Sequence, residues 1–428
     1  MQIHVVEPVD TIESIAARYG ISIELLLRDN QLSETTNLVI GQSLVIAIPL
    51  ETYVVQQGDT LRGIAETHNV TLMQLYRNNP FLSDRENIVP GDTLVIRYNN
   101  TGGRMTTHGN IFPYINRGIL RKTLPYLTYL SVINYTATSE GDIVTYYDDT
   151  ELVKEIKSYG VIPLMLLTTL TIQGVANIGV AYDLLLNREF QARQIENIIN
   201  ILRTQGYYGV NISLQYINIS TLYVYEDYLL NVFRSLSQAG FYVFVTISPG
   251  IRIIDNQVFI AKVDYTVINQ FATNIIFMSY EWSTNINPPS PITSINNINI
   301  FLGYIDFPLD KVVIGIPTVG YDWQLPFVAG ISDVRLLTIQ NAIDLARDVN
   351  AVIEFDEISQ TPYYLYYAGG EVSPVQHIVW FIDARSFNAL LSIVIENQLL
   401  GTGIWNIMNY NSQLWVLINS QYEITKIL

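Results

Sequence analysis

The chain has 428 residues, a formal net charge of −16, a hydrophobic content of 49% and no cysteine. The acidic balance disfavours nucleic acid as a partner because phosphate binding needs a basic face, and the lack of cysteine excludes disulfides and thiolate metal sites. The composition predicts a large core rather than disorder. No apolar run is long enough to cross a membrane. The four histidines show no ligand spacing, so neither a metal nor another cofactor is expected.

The first hundred residues contain one unit twice, which predicts tandem modules over residues 1–49 and 50–98. Asp10-Thr11 recurs as Asp59-Thr60, and Ile15-Ala16 recurs as Ile64-Ala65, each 49 positions later. The pattern of each unit predicts strand, helix, helix, strand. Asp10, with Glu13 three residues on, is the expected N-cap of the first helix.

The second unit, with Gly58-Asp59-Thr60-Leu61 and later Asn78-Asn79, resembles the LysM module, a βααβ domain that binds N-acetylglucosamine-containing chains such as peptidoglycan and chitin. The first unit departs from this pattern because Val9 replaces the glycine. The resemblance implies a sugar site between two loops of each module. The alternative is that Asp59 and Asn79 only cap helices and set turns. The implied sugar-binding residues are Asp10, Thr11, Ile12 and Asn30 in the first module and Gly58, Asp59, Thr60, Leu61, Asn79 and Pro80 in the second.

A Gly- and Asn-rich linker at residues 98–104 predicts a domain boundary, and beyond it short apolar runs alternate with helical patterns. Eight strands alternating with helices over residues 104–428 predict an α/β fold, a (β/α)8 barrel. The stretch from about residue 321 to 385 is too long for one βα unit and predicts a small inserted hairpin subdomain. The predicted strands are Thr106–Phe112, Leu127–Asn134, Val161–Thr168, Gly209–Gln215, Tyr242–Ser248, Asn274–Tyr280, Lys311–Val319 and Gly403–Met408.

Polar and aromatic residues stand at the predicted carboxyl ends of these strands, where barrel active sites lie. Trp282, Trp323 and Trp405 are three such aromatic residues, and aromatic rings with flanking amides and carboxylates are typical of a carbohydrate cleft. Core packing could account for one of these tryptophans, but three at strand ends favour a cleft.

A second resemblance rests on four later segments, residues 278–282, 320–327, 379–386 and 403–405. In this order they resemble the family 18 glycoside hydrolases, in particular the spore cortex-lytic N-acetylglucosaminidases of endospore formers, which also carry two LysM modules. The resemblance covers essentially the whole chain. The glycan-binding cleft that it implies comprises Gln215, Tyr280, Glu281, Trp282, Tyr321, Asp322, Trp323 and Trp405.

The fourth predicted strand departs from that family at its catalytic positions. The resemblance implies an aspartate where this chain has Ser213 and a proton-donating glutamate where it has Gln215, while Tyr280 is retained and Glu281 replaces an aspartate. An amide has no proton to donate near neutral pH, and loss of general acid catalysis costs roughly 10²–10⁴-fold. The sequence therefore predicts a cleft that holds glycan and does not cut it.

Three functions remain open on the sequence. The first is a catalytically inactive, hydrolase-like protein of the spore envelope (coat, cortex surface or exosporium) that binds peptidoglycan or another N-acetylglucosamine-containing glycan. The second is an active spore peptidoglycan N-acetylglucosaminidase with Glu281 or Asp322 as a relocated acid. The third is a self-assembling spore-surface protein that contacts itself or other coat proteins. The N-terminal residues lack the features of a secretory signal, so synthesis in the mother-cell cytoplasm is expected.

Overall fold

The computed structural model describes residues 1–84, 88–168, 183–214, 222–249, 251–254, 257–260, 263–278, 288–369 and 374–428. Each N-terminal module folds as strand, helix, helix, strand, and its two strands pair antiparallel. The elements are β1 (Gln2–Val5), α1 (Ile12–Tyr19), α2 (Ile23–Asp29) and β2 (Ser43–Ile46) in the first module, and β3 (Glu51–Val54), α3 (Leu61–Thr67), α4 (Leu72–Asn78) and β4 (Thr93–Arg97) in the second.

The first helix of the first module begins one residue later than the sequence predicted. Thr11 is the N-cap of α1, and its hydroxyl accepts a hydrogen bond from the backbone N–H of Ser14 while the Ser14 hydroxyl accepts from the Thr11 N–H. Thr60 caps α3 through the N–H of Gly63. The predicted capping by Asp10 is therefore wrong. Asp10 instead lies in the turn that precedes the helix.

Eight parallel strands close into a barrel, so the predicted fold is confirmed. Each strand is apolar toward the surrounding helices, and the chain returns between strands through those helices. The eighth strand begins two residues earlier than predicted and ends at Trp405. The barrel strands are β5 (Arg104–Ile111), β6 (Tyr129–Ala137), β8 (Ile162–Thr168), β9 (Gly209–Leu214), β10 (Tyr242–Ile247), β13 (Asn274–Phe277), β14 (Val312–Pro317) and β20 (Gly401–Trp405).

The remaining elements surround the barrel or extend its loops. No helix among the described residues has both the length and the apolar character needed to cross a bilayer. The additional strands are β7 (Ile143–Thr145), β11 (Ile251–Ile254), β12 (Gln257–Ile260) and β21 (Glu423–Ile424), and the helices are α5 (Arg117–Thr123), α6 (Thr150–Ser158), α7 (Arg188–Gln205), α8 (Leu222–Gln238), α9 (Thr266–Phe271), α10 (Ile295–Leu302), α12 (Ala384–Glu396) and α13 (Ser412–Gln421).

The predicted insertion after the seventh barrel strand is a five-stranded antiparallel sheet with one helix on it. The Tyr364 hydroxyl donates to the carbonyl of Ala342, which fixes the helix against one face of the sheet. The opposite face carries the aromatic side chains that follow the barrel strand. The elements are β15 (Val319–Gln324), β16 (Val334–Thr338), α11 (Ile339–Asp348), β17 (Glu354–Asp356), β18 (Thr361–Ala368) and β19 (Val375–Trp380).

Both N-terminal modules pack against the last barrel helix, α13, whose described side chains between its ends are buried. Gln413 donates to Asn30 of the first module over 3.0 Å. Asn419 donates to Asn78 of the second module and accepts from the Arg77 guanidinium, each over 2.7 Å. These buried polar contacts give the modules one defined position on the barrel, because a mispaired amide in such a place would cost stability.

Candidate functional site

The fourth barrel strand, β9, directs a hydrogen-bonded amide into the barrel interior. The Asn211 amide donates to the Ser131 hydroxyl over 3.0 Å and accepts from the Thr246 hydroxyl over 2.8 Å. Because Ser131 belongs to β6, which is separated from β9 by β8, the first of these bonds crosses the interior. Asn211 is buried and thus holds three strands together through neutral groups.

The same network continues to a buried histidine on the first strand. The Ser131 hydroxyl and the His108 Nε2 lie 2.7 Å apart. Burial lowers the pKa of His108 to about 3, so the imidazole is neutral at physiological pH. The barrel interior at this level therefore carries hydrogen-bonding groups without a formal charge on any of these side chains.

Ser213 lies two residues beyond Asn211 on the same strand, in register with Thr246 and partly exposed. Since side chains two residues apart on a strand point to the same side, Ser213 follows Asn211 toward the carboxyl-terminal end of the interior. A hydroxyl at this position supplies no negative charge. Gln215, Tyr280, Glu281 and Trp282 lie outside the described residues, so their predicted places in the cleft stay predictions.

Asp322 is buried in the insertion and not in an open cleft. One carboxylate oxygen accepts from Arg335 and from the Tyr366 hydroxyl, and the other lies 2.9 Å from His377 Nδ1. Its hydrogen bond to the carboxylate raises the pKa of the Arg335 guanidinium, and burial with the same carboxylate raises the pKa of Tyr366. The side chain is 1% exposed. Asp322 therefore holds together side chains of the insertion, and its predicted role as a sugar ligand or relocated acid stays a prediction.

Trp323 is also a packing residue, because its side chain is fully buried. Its ring lies against that of Tyr321, with 5.4 Å between ring centroids. The contact of Trp323 with sugar stays a prediction that this burial does not support. Tyr321 is partly exposed and stands in register with Trp380, which in turn is in register with Tyr363. Trp380 and Tyr363 stack with centroids 4.6 Å apart. A row of aromatic rings thus crosses the sheet.

Trp405 ends the eighth barrel strand and is partly exposed there. The Thr318 hydroxyl donates to the carbonyl of Asn406 over 2.9 Å, and the Asn110 amide donates to the carbonyl of Ile404 over 3.2 Å. These bonds fix the backbone on both sides of the tryptophan. Its predicted position at a strand end agrees with the structure, and its contact with sugar remains a prediction.

Three aromatic residues near the carboxyl ends of the first two barrel strands were missed from the sequence. Tyr114 is 59% exposed and stacks on Phe112 with centroids 5.3 Å apart and planes 16° apart. Tyr147, from the chain after β7, contacts Tyr114 edge-on at 5.9 Å. The signal was the run Phe112-Pro113-Tyr114, which begins at the last residue of the first predicted strand. We call Phe112, Tyr114 and Tyr147 the aromatic rim.

The aspartates of the modules set the turns before the first helices. Asp59 accepts from the Tyr53 hydroxyl over 2.8 Å and from the backbone N–H of Gln56 over 2.7 Å. Asp10 is bonded to His4 and to the N–H of Glu7. Burial alone would raise the pKa of Asp10, but its hydrogen bonds to Glu7 and His4 hold the pKa below its ordinary value.

The exposed part of the predicted module site is small. Thr11, Thr60 and Gly58 are exposed, and Gly58 has a φ of +92°. This conformation favours glycine, and Val9 of the first module does not share it. The two modules therefore differ in the backbone of this turn, and the second keeps the form that the resemblance implies. Leu61 and Asp59 are partly exposed.

Asn79 and Asn30 are structural clamps, because each ties the second helix of its module to the closing strand. The Asn79 amide donates to the carbonyls of Leu75 and Val95 and accepts from the N–H of Val95. Asn30 makes the same three bonds to Leu26 and Val45. Both are buried, as are Ile12 and Pro80. Asn30 also lines a cavity beside the barrel. The predicted sugar contacts of these four residues stay predictions.

Comparisons with known proteins agree with both resemblances. The family described as glycosyl hydrolases family 18 matches residues 122–409, and the LysM domain matches residues 4–47 and 53–97. The glycosylase YdhD of Bacillus subtilis (strain 168) is 30% identical over 422 residues, which cover 97% of this chain and 98% of that protein. The cortical fragment-lytic enzyme of the same organism is 28% identical and covers 100% and 99% of the two chains.

Two solved structures align with nearly the whole chain. The spore cortex-lytic enzyme SleL of Bacillus cereus aligns with a TM-score of 0.79 at 27% identity, covering 99% of each chain. The SleL structure from Bacillus megaterium QM B1551 also gives a TM-score of 0.79, at 26% identity over 100% of this chain and 99% of that one.

Proposed function

Because the chain belongs to glycosyl hydrolase family 18 and carries two LysM domains, we propose that it binds an N-acetylglucosamine-containing glycan of the spore envelope and has lost efficient hydrolysis. The names of its relatives, a sporulation-related glycosylase and cortex-lytic enzymes, support peptidoglycan of the spore cortex as the glycan and the spore as the place. A coat or exosporium location is part of the same proposal.

The observation that carries the loss of hydrolysis is the chemistry of β9. Asn211 is held by two hydroxyls and Ser213 follows it, so this strand brings no carboxylate into the described barrel interior. In the sequence, Gln215 occupies the position that the family resemblance implies for the proton donor. An amide and a hydroxyl can bond sugar oxygens but cannot protonate a leaving group at neutral pH.

Binding has separate support from the aromatic surfaces. The aromatic rim and Trp405 stand at the carboxyl ends of barrel strands, where their rings are accessible. Flat apolar faces of this kind suit the C–H faces of sugars. In the second module, exposed Gly58 and Thr60 with partly exposed Leu61 are the residues that remain available for glycan.

The alternative of an active enzyme with a relocated acid has no support from Asp322, since both of its oxygens are hydrogen-bonded and it is buried. Glu281, the other candidate for such an acid from the sequence, lies outside the described residues. No specific observation favours a purely self-assembling role.

The test compares the wild type with the double variant Ser213→Asp/Gln215→Glu on cortex fragments and on N-acetylglucosamine oligosaccharides. We expect wild-type turnover to be at least about 100-fold below that of an active family member, and the double variant to gain activity. The matched control is Ser237→Asp/Gln238→Glu, which adds the same two carboxylates at exposed positions near the end of α8. Wild-type turnover equal to that of the active relative would refute the proposed loss of hydrolysis.

Binding is measured separately by pull-down on insoluble peptidoglycan and by calorimetry with oligosaccharides. Tyr114→Ala should weaken oligosaccharide binding, whereas Tyr114→Phe should retain it because the ring is kept. An absence of binding by the wild type to both ligands would refute the glycan-binding proposal, whatever the turnover.

A further inference from the structure

A cavity of about 270 Å³ lies where the first module meets the barrel. Its wall comes from the module at Gln31, from the barrel loop at Asn409 and Asn411, from α13 at Gln413, and from the insertion at Thr338 and Gln340. The loop that supplies Asn409 follows directly after Trp405 and its flanking residues. The cavity is therefore adjacent to the end of the eighth strand and distinct from the barrel interior.

The lining has an uncharged composition. Of the described residues that form the wall, none is an Asp, Glu, Lys, Arg or His, and most are amides or threonines with isoleucines between them. Such a wall gives no counter-charge for a phosphate, a carboxylate or a cation. It matches a neutral ligand that has many hydroxyl or amide groups and an apolar face.

The amides of the wall keep unused hydrogen-bonding capacity after their structural bonds are counted. The Gln31 carbonyl accepts from the N–H of Ser412, which leaves its NH₂ group. Gln413 spends its NH₂ on Asn30 and on the Ser43 carbonyl, which leaves its own carbonyl oxygen. Gln413 is 6% exposed. A buried acceptor that faces a polar cavity favours a ligand hydroxyl or amide as its partner.

The cavity wall also offers hydrogen-bond donors. The Asn411 carbonyl accepts from the N–H of Leu414, so its NH₂ group remains. The Thr338 hydroxyl accepts from the N–H of Asn341, so its hydrogen remains. Asn409 is exposed, which makes the cavity reachable from solvent. Donors and acceptors thus both border a space with an aliphatic wall at Ile339 and Ile343.

We propose that this cavity between the first module and the barrel is a binding site for a single uncharged sugar unit. A pyranose with an N-acetyl group has the hydroxyls, the amide and the apolar face that the wall complements. Because the wall belongs to both partners, an occupied site adds contacts between the first module and the barrel. The choice of N-acetylglucosamine as the probe rests on the proposed function, but the choice of a neutral polyhydroxylated ligand does not.

The test counts bound N-acetylglucosamine on the full chain by equilibrium dialysis and locates it by soaking crystals. Gln340→Trp places a large ring in the cavity and should remove one binding equivalent. Gln238→Trp, an exposed residue at the end of α8, is the matched control and should leave the count unchanged. Asn409→Ala changes an exposed residue without threatening the fold, and should weaken this equivalent by about tenfold.

Equal counts in the wild type, Gln340→Trp and Asn409→Ala would overturn the proposal. Competition between bound N-acetylglucosamine and its β-1,4-linked tetramer would identify the ligand as a unit of a glycan chain. A lack of competition would identify it as a free sugar, and both outcomes support the site. If Tyr114→Ala leaves oligosaccharide binding unchanged while Gln340→Trp still removes one equivalent, the proposed cleft fails and this cavity stands.

Discussion

Replacing Asn79 by alanine separates the two roles that this residue could have, a sugar ligand or a clamp inside the second module. The Asn79 side chain is 0% exposed and makes three hydrogen bonds, two of them to the backbone of Val95 and one to the carbonyl of Leu75. Leu75 keeps the N–H of Asn79 as a partner. Val95 N–H, in contrast, loses its acceptor inside a buried strand.

The magnitude follows from these contacts. An orphaned buried N–H costs about 1–3 kcal/mol, and the space left by the amide adds about 1 kcal/mol. We therefore expect Asn79→Ala to lower the local stability of the module by about 2–4 kcal/mol. Through the exchange equilibrium, about 3 kcal/mol corresponds to roughly 100-fold faster amide exchange.

Hydrogen exchange measured by mass spectrometry on peptides from residues 50–98 is the assay, because it reports the module without requiring the whole chain to unfold in one step. Asn99→Ala, an exposed asparagine at the end of the module, is the control and should leave exchange unchanged. Peptidoglycan binding at a temperature where the variant is folded should stay near that of the wild type. Unchanged protection together with lost binding would refute the clamp and restore Asn79 as a sugar ligand.

Two further predictions concern buried charge. Asp322→Ala should lower the free energy of unfolding, measured by calorimetry, by about 2–4 kcal/mol, because Tyr366 and His377 lose their acceptor while half-exposed Arg335 contributes little. We also expect the Ser213→Asp/Gln215→Glu variant to keep its hydrolysis when Asp322→Asn is added. Loss of that hydrolysis would identify Asp322 as a catalytic acid. Burial and Arg77 lower the pKa of Lys426 to about 7. Between about pH 7 and 10 the unfolded chain therefore binds more protons than the folded one, and the stability contributed by this residue rises with pH. Parallel pH profiles of unfolding temperature for the wild type and Lys426→Met would contradict this.

The barrel could be predicted from sequence because its signals are long and repeated. Each of the eight strands is a short apolar run followed by polar or aromatic residues, and all eight exist in the closed sheet. The repeat of Asp10-Thr11 as Asp59-Thr60 likewise defined two modules of the same pattern. Strand ends were less certain, as for the eighth strand, because local pattern does not fix where hydrogen bonding to a neighbour stops.

The burial of the candidate site residues could not be predicted from the sequence, because burial is decided by tertiary packing. Trp323 and Tyr321 are equivalent in the sequence pattern, yet only Tyr321 is partly exposed. Asn79 looks like a polar loop residue, but its amide turns inward to the backbone of β4. Tyr114 was missed for a different reason, since its loop belongs to none of the motifs that carry the family resemblance.

Because α13 is buried beneath both modules, the modules have fixed positions relative to the barrel and are not tethered to it by a flexible linker. With Gln413 and Asn419 bonded to the two modules, the spacing between a glycan held by a module and one held at the barrel is set by packed side chains, not by the reach of a linker. Binding at one point then raises the effective concentration at the next only for strands that present sugars at that separation. Such a protein would discriminate among glycan surfaces by the spacing and direction of their strands.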